Sequence, residues 1–274
     1  MSDPNQFTTP FAITKAVHRD PYPAISPERP ENSQSGKVII ITGGGSGIGA
    51  AAAKVWARAG AQGIVILGRR QDKLDEVSAA IKAISATATV LAVATDITIE
   101  SDVEHLYTQV QKTFGRQADA INVKGSYSMT HHFIRAQKDP KNPIGTVINV
   151  ASGRAGLTTA GGSAYNVAKL AEQRLSEHIH LEYPSLNVYT TMPGIVLTGI
   201  VPEFWLPFAK DHIDLTGMLA LYLIQPRAEF LSGMMISVNW DVDELEQHKA
   251  EIVEKKLLET SWLPILPAAG EKGL

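Results

Sequence analysis

Val38-Ile39-Ile40-Ile41-Thr42 is an unbroken β-branched run, and Gly43-Gly44-Gly45-Ser46-Gly47-Ile48-Gly49 follows it directly. Such a run reads as a strand buried on both faces. The alanine-rich stretch from Ala50 to Ala59 reads as a helix, and Gly60 ends it. Strand, glycine turn and helix in that order build a parallel sheet with helices packed on its faces. The same order suits a phosphate-binding loop. Glycines let the backbone approach a pyrophosphate, and a helix N-terminus offers unpaired N–H groups and the positive end of its dipole. A glycine cluster alone would be a plain tight turn; the flanking elements point to a nucleotide.

The alternation continues along the chain. Strands are expected at Val38–Thr42, Gly63–Leu67, Thr89–Ala94, Thr146–Val150, Val188–Met192 and Met235–Val238. Helices are expected at Ile48–Ala59, Asp72–Ile84, Ser101–Phe114, Ser126–Lys138, Ser163–Glu182 and Leu215–Leu223. Together they make residues 36–240 a doubly wound, three-layer α/β domain. Residues 1–35 are rich in proline (Pro4, Pro10, Pro21, Pro23, Pro27, Pro30) and read as an extended arm. In residues 241–274, Val242, Leu245, Ile252, Val253 and Leu257 recur at helical spacing behind an Asp241–Glu244 capping pair. That tail is expected to be an amphipathic helix docked on the core.

Composition narrows the function. At 274 residues and 44% hydrophobic, the chain can bury one good core. Its 25 basic and 28 acidic residues leave a net charge of −3, which points away from nucleic acid and anionic membranes. Without cysteine there is no disulfide framework, thiolate catalysis or cysteine-based zinc site. No apolar stretch approaches the roughly 20 residues that span a bilayer, and no signal-peptide core opens the chain, so a soluble, cytoplasmic protein is expected. His131-His132 and His178-Ile179-His180 look metal-like, but such neighbours point apart on a helix, and no metal is expected.

Tyr165 and Lys169 stand four apart, on one face of a helix. A lone phenol titrates near pH ~10, and a neighbouring ammonium favours its ionised form. Ser152 lies thirteen positions before the tyrosine, at the end of the strand Gly145–Val150. Its hydroxyl could hold a carbonyl or alcohol oxygen beside the phenol.

Thr42-Gly43-x-x-x-Gly47-x-Gly49, Ser152, Tyr165-x-x-x-Lys169 and Pro193-Gly194-Ile195-Val196-Leu197-Thr198, in that order, resemble the short-chain dehydrogenase/reductase family over roughly residues 37 to 240. The ending from Leu231-Ser232-Gly233 through Val238-Asn239-Trp240-Asp241 resembles that of fungal members, which often serve secondary metabolism. The resemblance implies a Rossmann-type sheet and hydride transfer between a nicotinamide cofactor and a secondary alcohol/ketone pair on a small to medium apolar metabolite. It implies Tyr165 as proton donor, Ser152 orienting the carbonyl, Lys169 assisting both phenol and ribose, and Asn122 completing a proton relay. Cofactor contacts would come from Gly43, Ser46, Gly47, Ile48, Val196, Thr198, Tyr165 and Lys169, with Asp96 beside the adenine. A homo-oligomer would be usual.

The cofactor is read from the end of the second strand. An acid roughly 20 to 25 residues beyond the first glycine would bind the 2′-hydroxyl of NAD. This chain has Gly68-Arg69-Arg70 there. Two guanidiniums suit a 2′-phosphate, so NADP(H) is preferred. NAD(H) stays open if both arginines are solvated loop residues. Phe204-Trp205-Leu206-Pro207-Phe208 follows the Pro-Gly turn and is either an apolar lid over the substrate or filling for the core.

One departure stands out. After Phe114-Gly115-Arg116 the family has a fourth strand, an Asn-Asn-Ala-Gly motif and the opening of a long helix. Here the chain runs Gln117-Ala118-Asp119-Ala120-Ile121-Asn122-Val123-Lys124-Gly125 and is at once in the later helix. Either Asn122-Val123-Lys124-Gly125 opens that helix, or Ala118–Asn122 serves as a shortened fourth strand. If neither repairs the sheet, the chain is a non-catalytic nucleotide-binding protein, and an oligomer would be weakened.

Overall fold

A computed structural model describes residues 3–116, 118–123, 127–199 and 201–260, with only the backbone described at 10 and 120–123. Val38–Thr42 forms β1, buried at every position, and Gly63–Gly68 forms β2 beside it. The other strands are β3 (Thr89–Ala94), β4 (Ala120–Val123), β5 (Gly145–Val150), β6 (Leu186–Met192) and β7 (Met235–Ser237). They pair in parallel throughout, in the order β3-β2-β1-β4-β5-β6-β7. The connecting helices are α1 (Gly47–Arg58), α2 (Gln71–Ile84), α3 (Glu100–Phe114), α4 (Tyr127–Arg135), α5 (Ser163–Glu182) and α6 (Leu215–Leu223).

The period-2 alternation of β1 feeds two cores. Ile39 and Ile41 join Trp56 of α1 and Leu219 of α6 on one face. Val38 and Ile40 join Leu106 of α3, Phe133 of α4 and Ile179 of α5 on the other. All nine residues of α6 are buried, as a helix apolar on every side requires. Among the described residues no helix is long and apolar enough to cross a membrane.

The fourth strand is present and short. Ala120, Ile121 and Asn122 pair with Ile39, Ile40 and Ile41, and Ala120 to Val123 pair with Thr146 to Asn149 on the other side. The reading of Asn122-Val123-Lys124-Gly125 as the opening of a helix is therefore corrected for its first two residues, and 124–126 lie outside the described residues. The physical reason is the demand of β1 and β5 for a partner between them. Asp119, ill suited to a strand interior, sits at its open end instead. Its Oδ2 accepts from Val38 N at 2.6 Å, its backbone exchanges bonds with Val38 and Thr146, and Arg116 pairs with its carboxylate at 2.9 Å.

Other boundaries shift. α4 ends at Arg135, three residues short of Lys138, and β7 ends at Ser237. The tail forms two short helices, α7 (Val242–Gln247) and α8 (Lys249–Lys255), that meet at His248. Val242, Leu245 and Ile252 are buried as expected, whereas Val253 and Leu257 are about half exposed and Leu258 packs instead. Asp241 caps α7 by accepting from Glu244 N at 2.9 Å. The Glu244 carboxylate turns to the arm, accepting from the backbone N of Lys15 and Ala16. Residues 261–274 lie outside the described residues. The arm is not simply extended: it makes short 3-10 turns at Thr9–Phe11, Pro23–Ile25 and Pro30–Asn32, and Val17 bridges to Trp240.

The register partners of Ile121, Ile40 and Val147, are fully buried. Placing a carboxylate at this central position is expected to cost on the order of 4 kcal/mol, enough to unfold a marginally stable domain. A thermal melt without ligand should show Ile121→Asp largely unfolded. A melt at the parental temperature would remove β4 from the buried sheet.

Candidate active site

Strand order reverses between β1 and β4, and ligands of open α/β sheets sit at the carboxyl ends of the strands at such a point. The loop after β1 lies there. Gly43 and Gly47 take left-handed backbone angles, φ +65° and +53°, which glycine adopts at no steric cost. A side chain on Gly49 would collide with the Gly43 carbonyl. Ser46 precedes α1 without a side-chain cap, so the first amides of that helix face the groove without such a partner.

A groove runs from this loop in both directions. At one end Gly43, Ser46, Arg69, Arg70 and Asp96 line a recess. Its middle is walled by Gly47, Ile48, Arg70 and Thr198. At the other end Ile48, Ser152, Tyr165, Lys169, Val196 and Thr198 border a cavity of about 380 Å³. Asn122 alone cannot be placed on it: its backbone lies in β4, and its side chain is outside the described residues.

Arg69 and Arg70 are exposed, and among the described residues neither is held in an ion pair. Lys73, a cation the sequence reading passed over, lines the same recess but is paired with Glu76 at 2.7 Å. Asp96 accepts from Thr98 N at 3.0 Å and Thr98 Oγ1 at 2.8 Å. Those bonds, with a smaller contribution from the Arg69 charge, hold its carboxyl below the ordinary aspartate range.

Tyr165 stands in the first turn of α5, 46% exposed. Lys169, one turn on, is buried, with Nζ 6.0 Å from the centre of the tyrosine ring. It donates to Val150 O at 3.0 Å and to Glu172 Oε2 at 2.7 Å. Glu172 escaped the sequence reading, although its i,i+3 spacing to Lys169 was visible. Ser152 follows β5, and its Oγ accepts from Arg154 N at 3.2 Å. The Arg154 side chain then reaches back, its Cζ 5.3 Å from the Tyr165 ring centre and 5.9 Å from that of Trp205.

The two ends of the chain supply the far wall. Phe7, Thr8 and Phe11 of the arm line the cavity, with Phe7 4.7 Å from Trp205 and 4.8 Å from Phe208, centre to centre. Within Phe204–Phe208 the roles divide: Trp205 lines the cavity, Phe208 is buried core and Phe204 is largely exposed. Behind them lies Asp211, its side chain fully buried. It accepts from Arg19 Nε at 2.6 Å, Asn239 Nδ2 at 2.7 Å and the amide of Ile195. Nothing local in the sequence marks this junction.

His132 approaches two acids across helices. Glu100, Glu104 and His132 bring one ligand atom each within 4.8 Å of one another, with both glutamates exposed and His132 Nδ1 2.9 Å from Ser128 O. His180 is bonded to Ser232.

The model of the family described as short chain dehydrogenase matches residues 37–119 and 115–206. The short chain dehydrogenase andI of Emericella variicolor is 32% identical over 278 residues, covering 88% of this chain and 93% of that protein. L-sorbose reductase from Gluconobacter frateurii, solved with NADPH and L-sorbose, superposes with TM-score 0.64 at 22% identity, over 76% of this chain and 97% of that one. The 3-ketoacyl-(acyl-carrier-protein) reductase of Brucella melitensis, solved with NADH, gives 0.65 at 25%, over 76% and 98%.

Removing one partner of a buried ion pair costs about 3–5 kcal/mol, because the remaining charge is left uncompensated. Arg19→Leu should lower the melting temperature sharply, and Arg19→Leu/Asp211→Asn should recover part of the loss. If Arg19→Leu melts with the parent, the arm is not held through Asp211.

Proposed function

The chain belongs to the short-chain dehydrogenase family, and we propose that it moves hydride between NADP(H) and a secondary alcohol/ketone pair on a small to medium, largely apolar metabolite. The observation that carries this reading is the meeting of Ser152, Tyr165 and Lys169 at one cavity, at the end of a groove that begins at the glycine loop. The continuous sheet speaks against the rival, a deletion-compromised nucleotide-binding protein without catalysis. The fungal origin of andI supports a role in secondary metabolism.

The groove fits a dinucleotide. Gly43 and Gly47 open the backbone where a pyrophosphate would lie against the α1 N-terminus. Lys169 spends two donors on Val150 O and Glu172, and an ammonium has three. The third would hold the nicotinamide ribose. When bound, the nicotinamide gives or takes the hydride.

In the reductive direction, Ser152 Oγ orients the substrate carbonyl. Its oxygen gains negative charge as the carbon is reduced, and the Tyr165 hydroxyl donates the proton that turns it into an alcohol. The Lys169 charge stabilises the phenolate left behind, tempered by its pairing with Glu172. Solvent returns a proton to the phenolate oxygen of the half-exposed Tyr165. The Asn122 side chain would hold a water on the path by which that proton returns.

Cofactor choice does not follow from the fold, which is shared by proteins solved with NADPH and with NADH. It rests on Arg69 and Arg70, exposed, without an ion pair among the described residues and in the recess beside the glycine loop. The charge-assisted contacts to a 2′-phosphate are together worth roughly 1–3 kcal/mol. Fluorescence titration should therefore show NADPH binding about five- to a hundredfold more tightly than NADH, and Arg69→Ala/Arg70→Ala should erase the difference. Equal affinities in the parent would return the arginines to the solvent.

Tyr165→Phe should lower ketone turnover by about a hundredfold or more while leaving NADPH affinity nearly intact, because the phenol acts only in proton transfer. Lys169→Ala should impair both. Turnover of Tyr165→Phe near the parental rate would assign the proton to another group.

A further inference from the structure

Among the described residues, the cavity beside Tyr165 is lined by two cations, Arg154 and Lys169, and by no carboxylate. Much of the rest of its wall is apolar, with Phe7, Phe11, Leu157, Val201 and Trp205 among its members. Lys169 is already paired with Glu172. Arg154 is different. Among the described residues it has no acidic partner, and its side chain makes one hydrogen bond, from Nη2 to Thr159 Oγ1 at 3.3 Å. Its Nε is shielded from solvent and donates to none of the described residues.

A guanidinium has five N–H donors, and leaving a shielded one unpaired carries a desolvation cost. The Tyr165 and Trp205 rings offset part of that cost through cation–π attraction and hold the group in place. Gly162 leaves it room, since a Cβ there would lie 2.7 Å from Nη2. The result is a partly buried, positioned cation, uncompensated among the described residues, beside the proton donor in the wall of one cavity.

Resting on the oxidoreductase reading above, we propose that the substrate is a keto acid or hydroxy acid whose carboxylate is held by Arg154. The planar guanidinium matches a carboxylate bidentately, and the ligand would supply the negative charge that the described residues do not. With Arg154 packed on Tyr165, the reacting carbonyl lies a few bonds from the carboxylate, and the apolar remainder of the substrate lies against Phe7, Phe11 and Trp205. The arm would thus select substrates as well as stabilise the fold.

The test uses the full chain, NADPH, and two aryl ketones, 3-benzoylpropionate and 4-benzoylbutyrate, each beside its methyl ester. At least one acid should exceed its ester in kcat/KM by about tenfold or more, mostly through KM. Arg154→Met should lower kcat/KM for that acid at least about tenfold more than for the ester, and Arg154→Lys should restore part of the difference. Equal losses on acid and ester would mean that the arginine only braces Tyr165 and Trp205, and would overturn the proposal. A second measurement needs no turnover: quenching of tryptophan fluorescence by 4-benzoylbutyrate in the presence of NADP+. The parent should bind the acid about tenfold more tightly than Arg154→Met does. Equal binding, or none by the parent, refutes the anion site whatever the kinetics. Tenfold weaker binding in Arg154→Met with no reduction of any ketone supports the anion site and counts against the oxidoreductase reading instead.

Discussion

Strand β1 is buried at every residue, so its amides and carbonyls must find partners on both sides. Each one left unpaired costs about 1–3 kcal/mol against a net stability of only about 5–15 kcal/mol. β2 supplies one side, and Ala120, Ile121 and Asn122 of β4 supply the other. With one strand between them, β1 and β5 lie about 10 Å apart. That spacing sets the glycine loop after β1 against Ser152 after β5, and Val150 O where Lys169 can reach it. A shortened β4 suffices because Asp119 and Arg116 close its open end, where an acid can meet an amide and a guanidinium.

Asp211 does for the cavity what β4 does for the sheet. It collects donors from the arm (Arg19), the Pro-Gly loop (Ile195) and the ending (Asn239), so three remote segments share one buried charge. Because Arg19 is anchored, Phe7 and Phe11 can border the cavity, with Trp240 Nε1 donating to Phe11 O at 2.9 Å. A proline-rich start that reads as a spacer thereby becomes part of the wall. The electrostatics of the two cavity cations diverge for a similar reason. Lys169 meets Glu172 on its own helix, while among the described residues Arg154 meets aromatic rings and a threonine hydroxyl but no acid.

Much of this was legible before any coordinates. The β-branched run and glycines predicted β1, the turn and α1, because strand burial and left-handed backbone angles are properties of single residues and their neighbours. Tyr165 and Lys169 were readable as a pair because helical spacing places them on one face. Arg69 and Arg70 were readable as members of the recess beside the glycine loop, because loops at strand ends border the groove of such sheets. The tail showed the limit of periodicity: Val242, Leu245 and Ile252 bury as their spacing implies, but the break at His248 turns Val253 and Leu257 outward.

Asn122 was ambiguous because its local pattern matched a helix opening, and only the vacancy between β1 and β5 made the segment a strand. Arg154 stands in plain view two residues after Ser152, yet its importance lies in Tyr165 and Trp205 closing on it. Arg19 and Asp211 are 192 residues apart. The α/β layout, the glycine turn and the Tyr–Lys face follow from sterics and periodicities that act over a few residues. The closure of the sheet, the cavity wall and the uncompensated cation follow from contacts between distant segments, whose energy exists only once the chain has folded and water has been excluded.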